Sequence, residues 1–586
     1  GQECRAEKVA VILGPGANIK RSPLCGRNFE YFSEYPYLSG ESAKSHNNGV
    51  QSKGIGASLK HYSVNNQEYR RMMIDAVVDE RALREIYLAG FEIAVKESQP
   101  WTVMCAYNKV NGTYCAENGV LMTDILKDEW EHDGLVVTDW GAMNDRVSGL
   151  AAGVELEMPG SPNGNDARIV TAVQSAELDE AVLDRAVERI LEMIFKAEET
   201  LAQDATCDLD AHHALARRAA AEGAVLLKNA GQVLPLSQNT KVALLGRFAK
   251  EPRYQGAGSS LINPTRLDNL YDEIVKLVGE ENLAYAPGYD AEGKQADKAL
   301  IAQALERAKT ADVVVVCAGL TDMCEVEGLD REDLNLPPGH DALIEAAAAA
   351  HPNVVVVLSN GSPVEMPWAE NVAAILEGYL GGQAGAGALA DILYGKVNPS
   401  GKLAETFPLK LEDNPAHHYF PGGPNTAEYR ESIYVGYRYY DTVGQDVLFS
   451  FGHGLSYTTF EYSDLRLSQD KIKETDRLTV TLTVKNTGSV AGKEIVQIYV
   501  RDVEATAFRP DKELKGFEKV ALMPGEETRV AIQLDRRAFA YYDSGIGDWV
   551  VESGAFDILA GASSCDIRLQ AAVAVEVEHR RGGIDV

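Results

Sequence analysis

Basic residues are scarce relative to acidic ones: 56 Lys and Arg stand against 87 Asp and Glu, a net charge of −31. That balance argues against nucleic acid or an anionic membrane as partner, because phosphate binding needs a basic surface. A neutral substrate fits it. Long apolar runs are missing too; no stretch of about 18 apolar residues exists, so no transmembrane helix is expected. The opening GQECRAEKVAVILGPG has no signal-peptide layout. With neither a leader nor a span, the cytoplasm is slightly favoured. The opening also lacks a Met and runs almost at once into a strand, unlike a natural start. Cysteine is present eight times but never as CxxC, and several cysteines lie in strand-like runs. Buried free thiols suit that pattern. A disulfide scaffold, a zinc site or any other cofactor is not expected. Solenoid repeats and low-complexity segments are absent as well.

What is present divides into three patterns. A chain of 586 residues is too long for one core. Residues 1–200 alternate short strands (VAVILGP, ASLKHYS, TVMCAYN, GLVVTDW, GVELEMPG) with helical stretches such as DERALREIYLAGFEIAVKE. Strand, helix and strand in repetition predict a parallel sheet with helical crossovers. Polar residues stand where those strands end, as at the active-site face of a β/α barrel. Only five such strands are visible, which predicts an incomplete TIM-like barrel. Residues 201–460 carry buried strand runs, KVALLGRFA, ADVVVVCAG, NVVVVLSNG and AAILEGYLG. They predict an α/β sandwich whose sheet is covered on both faces. Residues 461–586 switch to period-two alternation, as in LTVTLTVKNTG and KEIVQIYVRD. That spacing predicts a small β-sandwich of the fibronectin type III-like kind.

Four stretches could carry chemistry. In GLVVTDW, Asp139 directly follows a short apolar strand. It is either the N-cap of the next helix, a role Asp favours, or a catalyst beside a Trp suited to sugar stacking. TDMCEVEGLDREDLNLPPGH follows the buried strand ADVVVVCAG. It therefore lies beyond the carboxyl end of a sheet strand, where open α/β folds bind ligands. A solvated acidic loop is the plain alternative. Glu327 precedes Gly328, which permits close backbone approach. Lys60 and His61 end another strand and could bind neighbouring hydroxyls of one sugar, or be a surface Lys beside a packed His. Arg27 could clamp a hydroxyl or pair with Glu30. Two carboxylates on separate loops are what glycoside hydrolysis requires, one at the anomeric carbon and one at the leaving oxygen, with different pKa values.

The ordered segments GPGANIKRSPLCGRNFEYFSEYPYLSG, KHYSVNNQEYRRM, MCAYNKVNG, GLVVTDWGAM, YQGAGSSLINP, EVEGLDREDLNLP and FSFGHGLSY resemble family 3 glycoside hydrolases, the β-glucosidase branch in particular. The resemblance covers nearly the whole chain. It implies a retaining, exo-acting enzyme that removes terminal β-D-glucose from glucosides and cello-oligosaccharides. Asp139 takes the nucleophile's place in the TDW motif, and Glu327 that of the acid/base, with Glu325 its rival two residues earlier. Arg27, Lys60 and His61 would bind the nonreducing sugar, and Arg71 and Tyr107 would support the nucleophile. Met104 and Trp140 would line the apolar wall, and Ser259 would close the pocket. The two carboxyl groups should lie roughly 5–6 Å apart, as retention requires. The family's DGPxGxR motif, whose Asp binds the sugar hydroxyls far from the leaving group, is not found ahead of these segments.

Two alternatives share the family: a β-xylosidase and a dual β-glucosidase/β-xylosidase. The N-acetylglucosaminidase branch is disfavoured because its KHFPGHG-like loop is absent. A noncatalytic carbohydrate-binding protein is the alternative from another class. Homo-oligomerisation is left open by all of these readings.

Overall fold

The structure, a computed structural model, describes residues 1–161 and 164–577. Two compact units are distinguished. The first comprises Gly1–Asp208, Glu327–Arg331 and Pro415–Val435; the second comprises Leu209–Val326, Glu332–Asn414 and Gly436–Val586.

The first unit is built on four parallel strands, β1 (Val11–Ile12), β2 (Gly56–Tyr62), β3 (Thr102–Cys105) and β4 (Leu135–Thr138), hydrogen-bonded in that order. Leu59, Val103, Cys105 and Val136 pack outward against helices through Ala43, Phe91, Leu121 and Leu126. The opposite face carries Met104, Leu135 and Val137, packed with Leu156, Met158, Ile190 and Met193. The alternation places Asp139, two residues past Val137, on this second face. The fifth expected strand, GVELEMPG, is reduced to a single parallel bridge from Leu156 to Val137. At the sheet edge, Val9, Ile12 and Leu13 are exposed. The excursion Pro415–Val435 is fastened here by the buried Arg21–Glu431 ion pair. Its Thr426–Glu428 strand pairs in parallel with Asp75–Val77.

In the second unit, a six-stranded sheet has the order Leu283–Ala286, Val242–Leu245, Val313–Gly319, Val354–Ser359, Ala374–Glu377, Val225–Asn229. The last strand is antiparallel to its neighbour; the others run parallel. Val313–Gly319 is buried throughout, as its unbroken apolar run predicts. Two of the strands, Val225–Asn229 and Leu283–Ala286, are additions to the sequence reading. Beyond the sheet lies a sandwich of a three-stranded and a five-stranded antiparallel-rich sheet. Leu478–Asn486 alternates buried and more exposed residues in register with Glu527–Leu534, the period of a strand with one face on a core. No described helix is long and apolar enough to cross a membrane. All eight cysteines are free thiols, and Cys25, Cys105, Cys115 and Cys317 are buried.

Candidate active site

Asp139 leaves β4 with its carboxylate buried. It is not a helix cap. The next helix, Arg146–Ala152, is capped by Asp145, whose carboxylate accepts from Ser148 N. Asp139 Oδ1 instead accepts the N–H of Trp140 at 2.7 Å. Its Oδ2 has no partner of good hydrogen-bond geometry among the described residues and lies 3.5 Å from His61 Nε2. Burial raises the Asp139 pKa. The Trp140 N–H, the Tyr107 hydroxyl and the charges of Arg27 and Arg71 oppose that rise. His61 is held well below its ordinary pKa by burial and by Arg27, Lys60 and Arg71, so it acts as a neutral imidazole. The Tyr31 hydroxyl lies 3.3 Å from its Nδ1. Asn18 fixes its backbone on both sides, donating to His61 O at 2.9 Å and accepting from His61 N at 2.8 Å. The Lys60–His61 peptide bond is cis.

Arg71 connects this carboxylate to a second one. Its guanidinium stands 4.9 Å over the Tyr107 ring. It donates to Glu68 Oε2 and to Glu327 Oε1, each at 2.8 Å. Glu327 belongs to the short segment Glu327–Arg331, which is part of the same compact unit as the parallel sheet. Arg27 is buried and forked onto Glu30 at 2.8 and 2.9 Å. Its remaining Nη1 lies 3.8 Å from Glu327 Oε1 and makes no hydrogen bond among the described residues. Lys60 Nζ reaches the same Glu30 at 3.3 Å. Thus Asp139, His61, Tyr107, Arg71, Glu327, Arg27 and Lys60 form one chain of contacts. Trp140 is 46% exposed beside Asp139. Met104 is buried in register with Val137, on the face that carries Asp139. Ser259 is exposed and lies in the other compact unit.

Glu325 has quite different surroundings. It is buried in the second unit, where Oε1 accepts from Gly361 N at 2.6 Å and from the Ser362 hydroxyl at 3.2 Å. Arg253 stands 3.7 Å from Oε2. Its own carbonyl accepts from Ala257 N at 3.0 Å.

Two carboxylates at the site were not singled out by sequence, Glu68 and Asp330. Glu68 lies in NNQEYRR and Asp330 in EGLDRE, but nothing local distinguishes them from other acids. Glu68 Oε2 accepts from Gly328 N at 2.7 Å as well as from Arg71. Burial outweighs Arg71 and Arg27 and pushes the Glu68 pKa up to about 7. An acid whose pKa rises on folding stabilises the fold fully below its unfolded pKa. That contribution is lost as pH climbs through the folded value. The stability of Glu68→Gln relative to wild type should therefore rise by about 3 kcal/mol between pH 4 and pH 8, at roughly 1.4 kcal/mol per pKa unit. Denaturant melts of both proteins across pH check this; a pH-independent difference would contradict it.

A buried acid with one oxygen lacking a hydrogen bond among the described residues, a second acid on a guanidinium and an exposed Trp at a strand end are groups of the kind that glycoside chemistry uses. Comparison with known proteins agrees. The glycosyl hydrolase family 3 N-terminal domain model matches residues 1–193, its C-terminal domain model residues 224–457, and a fibronectin type III-like domain model residues 494–564. The chain belongs to glycoside hydrolase family 3. It is 60% identical over 576 residues to thermostable beta-glucosidase B of Acetivibrio thermocellus, covering 98% of this chain and 76% of that protein. It is 47% identical over 586 residues to an exo-alpha-(1->6)-L-arabinopyranosidase of Bifidobacterium longum, with the same coverage. Among solved structures, a family 3 beta-glucosidase of Bifidobacterium adolescentis superposes with a TM-score of 0.95 at 47% identity, covering 98% of this chain and 84% of that one. Beta-glucosidase 3B of Thermotoga neapolitana, solved with glucose, gives 0.90 at 39% identity and the same coverage.

Proposed function

We propose that this glycoside hydrolase is a retaining, exo-acting β-glucosidase that releases terminal nonreducing β-D-glucose by double displacement. The observation that carries the reading is the buried Asp139 carboxylate, whose Oδ2 makes no hydrogen bond of good geometry among the described residues and lies beside His61, and which is linked through Tyr107 and Arg71 to Glu327. Asp139 attacks the anomeric carbon while Glu327 gives its proton to the departing oxygen. Glu327 then takes a proton from water, whose oxygen displaces Asp139 from the sugar. Arg27, Lys60 and His61 bind the sugar's hydroxyls; Arg27 Nη1, 3.8 Å from Glu327 and with no hydrogen bond among the described residues, is a donor ready for one of them. Tyr107 steadies the nucleophile, Arg71 orients the acid, and Trp140 and Met104 form the apolar wall. The domains run 1–200, 201–460 and 461–586, with Glu327–Arg331 and Pro415–Val435 belonging to the first compact unit; the spans of the matching family models support the division. The net charge of −31 supports a small neutral carbohydrate as partner over nucleic acid or a membrane.

Steady-state rates on nitrophenyl β-D-glucoside, β-D-xyloside and α-L-arabinopyranoside test the reading. The third substrate is included because relatives at 47% identity bear the arabinopyranosidase name. The glucoside should have the highest kcat/KM, and proton NMR should find the β-anomer as first product. Faster turnover of a pentoside would change the assigned sugar. Binding without turnover would leave a carbohydrate-binding protein.

A further inference from the structure

Glu327 lies in an irregular segment, so its aim depends on what fixes Glu327–Arg331. Gly328 adopts a left-handed φ of 97°, and no helix or strand includes the five residues. Asp330 supplies a threefold attachment. Its Oδ1 accepts from Gly26 N at 3.1 Å and from Glu68 N at 2.9 Å, and its Oδ2 accepts from Tyr69 N at 2.8 Å. The next residue adds a main-chain bond, Arg331 N to Leu24 O at 2.8 Å. Hydrogen bonds to an ionised acceptor are roughly twice as strong as neutral ones, and converging backbone N–H groups form an anion seat.

The amides that Asp330 gathers belong to the two loops that bear the site's arginines. Gly26 adjoins Arg27. Glu68 and Tyr69 precede Arg71, the residue bonded to Glu327. One carboxylate thus ties the segment bearing Glu327 to both cationic loops around it.

We infer that Asp330 is a positioning residue for the acid/base step: it sets Glu327 against the departing oxygen without touching substrate. The inference rests on the assignment of Glu327 made above. Asp330→Asn replaces one acceptor oxygen with an N–H donor. The amide can still receive Gly26 and Glu68, but then its NH₂ faces the Tyr69 N–H. The seat is spoiled while size is kept.

The test is the dependence of kcat/KM on leaving group, measured on wild type, Asp330→Asn and Glu327→Ala. Misplacing a catalytic group by about 1 Å can cost on the order of 10²-fold. Asp330→Asn should lose about that much on cellobiose and alkyl glucosides, yet stay near wild type on dinitrophenyl β-glucoside, which needs no proton to depart. Asp330→Glu, which keeps the charge on a longer arm, should show a smaller change of the same sign. It also serves if the Asn variant does not fold. A uniform loss on every substrate, or a wild-type leaving-group slope in the folded variants, overturns the positioning role. If Glu327→Ala itself shows no leaving-group dependence, the assignment of Glu327 is what has failed.

Discussion

Asp139→Asn should abolish turnover on every glucoside, activated ones included, while leaving the protein folded and more heat-stable. An amide cannot form the glycosyl ester, so the first displacement has no nucleophile. Departure of nitrophenol does not help, because bond cleavage still needs attack from the opposite face. The stability gain has a separate cause. Burial raises the Asp139 pKa, so the ionised form that catalysis requires is disfavoured in the folded protein. As for any acid shifted upward, stability is lost as pH rises from the unfolded pKa through the folded one. The Asn variant should therefore have the higher Tm above that window and no advantage below it. Tyr107 and the Trp140 N–H limit the effect, since both favour the carboxylate. Calorimetry at two pH values with a nitrophenyl assay checks both halves. A stable variant with substantial turnover would remove Asp139 from the nucleophile's role.

Glu327→Ala should divide substrates by leaving group. General acid catalysis contributes roughly 10²–10⁴-fold, and a loss of that order is expected on cellobiose and alkyl glucosides. Dinitrophenyl glucoside should retain its kcat/KM, because its phenolate departs unprotonated. Its kcat should fall, since deglycosylation loses the base that activates water. Azide, needing no base, should restore kcat and yield β-glucosyl azide. Glu325→Ala should behave differently. It removes an acceptor for Gly361 N and the Ser362 hydroxyl, in the buried bend after the strand Val354–Ser359, and a buried donor left unsatisfied costs about 1–3 kcal/mol. Its expected signature is lower stability without azide rescue. Azide rescue of Glu325→Ala, and none of Glu327→Ala, would exchange their roles.

The contrast between these two glutamates shows where local sequence stops. Both lie in EVEG, two positions apart, and periodicity treats them alike. Glu325 is enclosed by groups 36 and 37 residues later. Glu327 meets an arginine 256 residues earlier. Only the folded chain creates either environment.

By itself the sequence determined the features that depend on neighbours along the chain. Apolar runs dictated the buried strand Val313–Gly319, and strict alternation dictated Leu478–Asn486 in the sandwich, since side-chain direction follows backbone period. The apolar stretch ahead of Asp139 likewise placed that acid at a strand end. Tertiary structure decided what depends on distant partners. GVELEMPG has strand-like residues but keeps only one bridge, whereas Leu283–Ala286 gains a full parallel neighbour in Val242–Leu245. A strand exists by its pairing, and pairing is not a property of the segment alone. Asp139 was freed from capping because Asp145 took that place. Glu68 and Asp330 became parts of the site because burial and backbone N–H groups from remote loops converge on them. Electrostatic character of this kind arises from three-dimensional proximity and desolvation, and neither exists until the chain has folded.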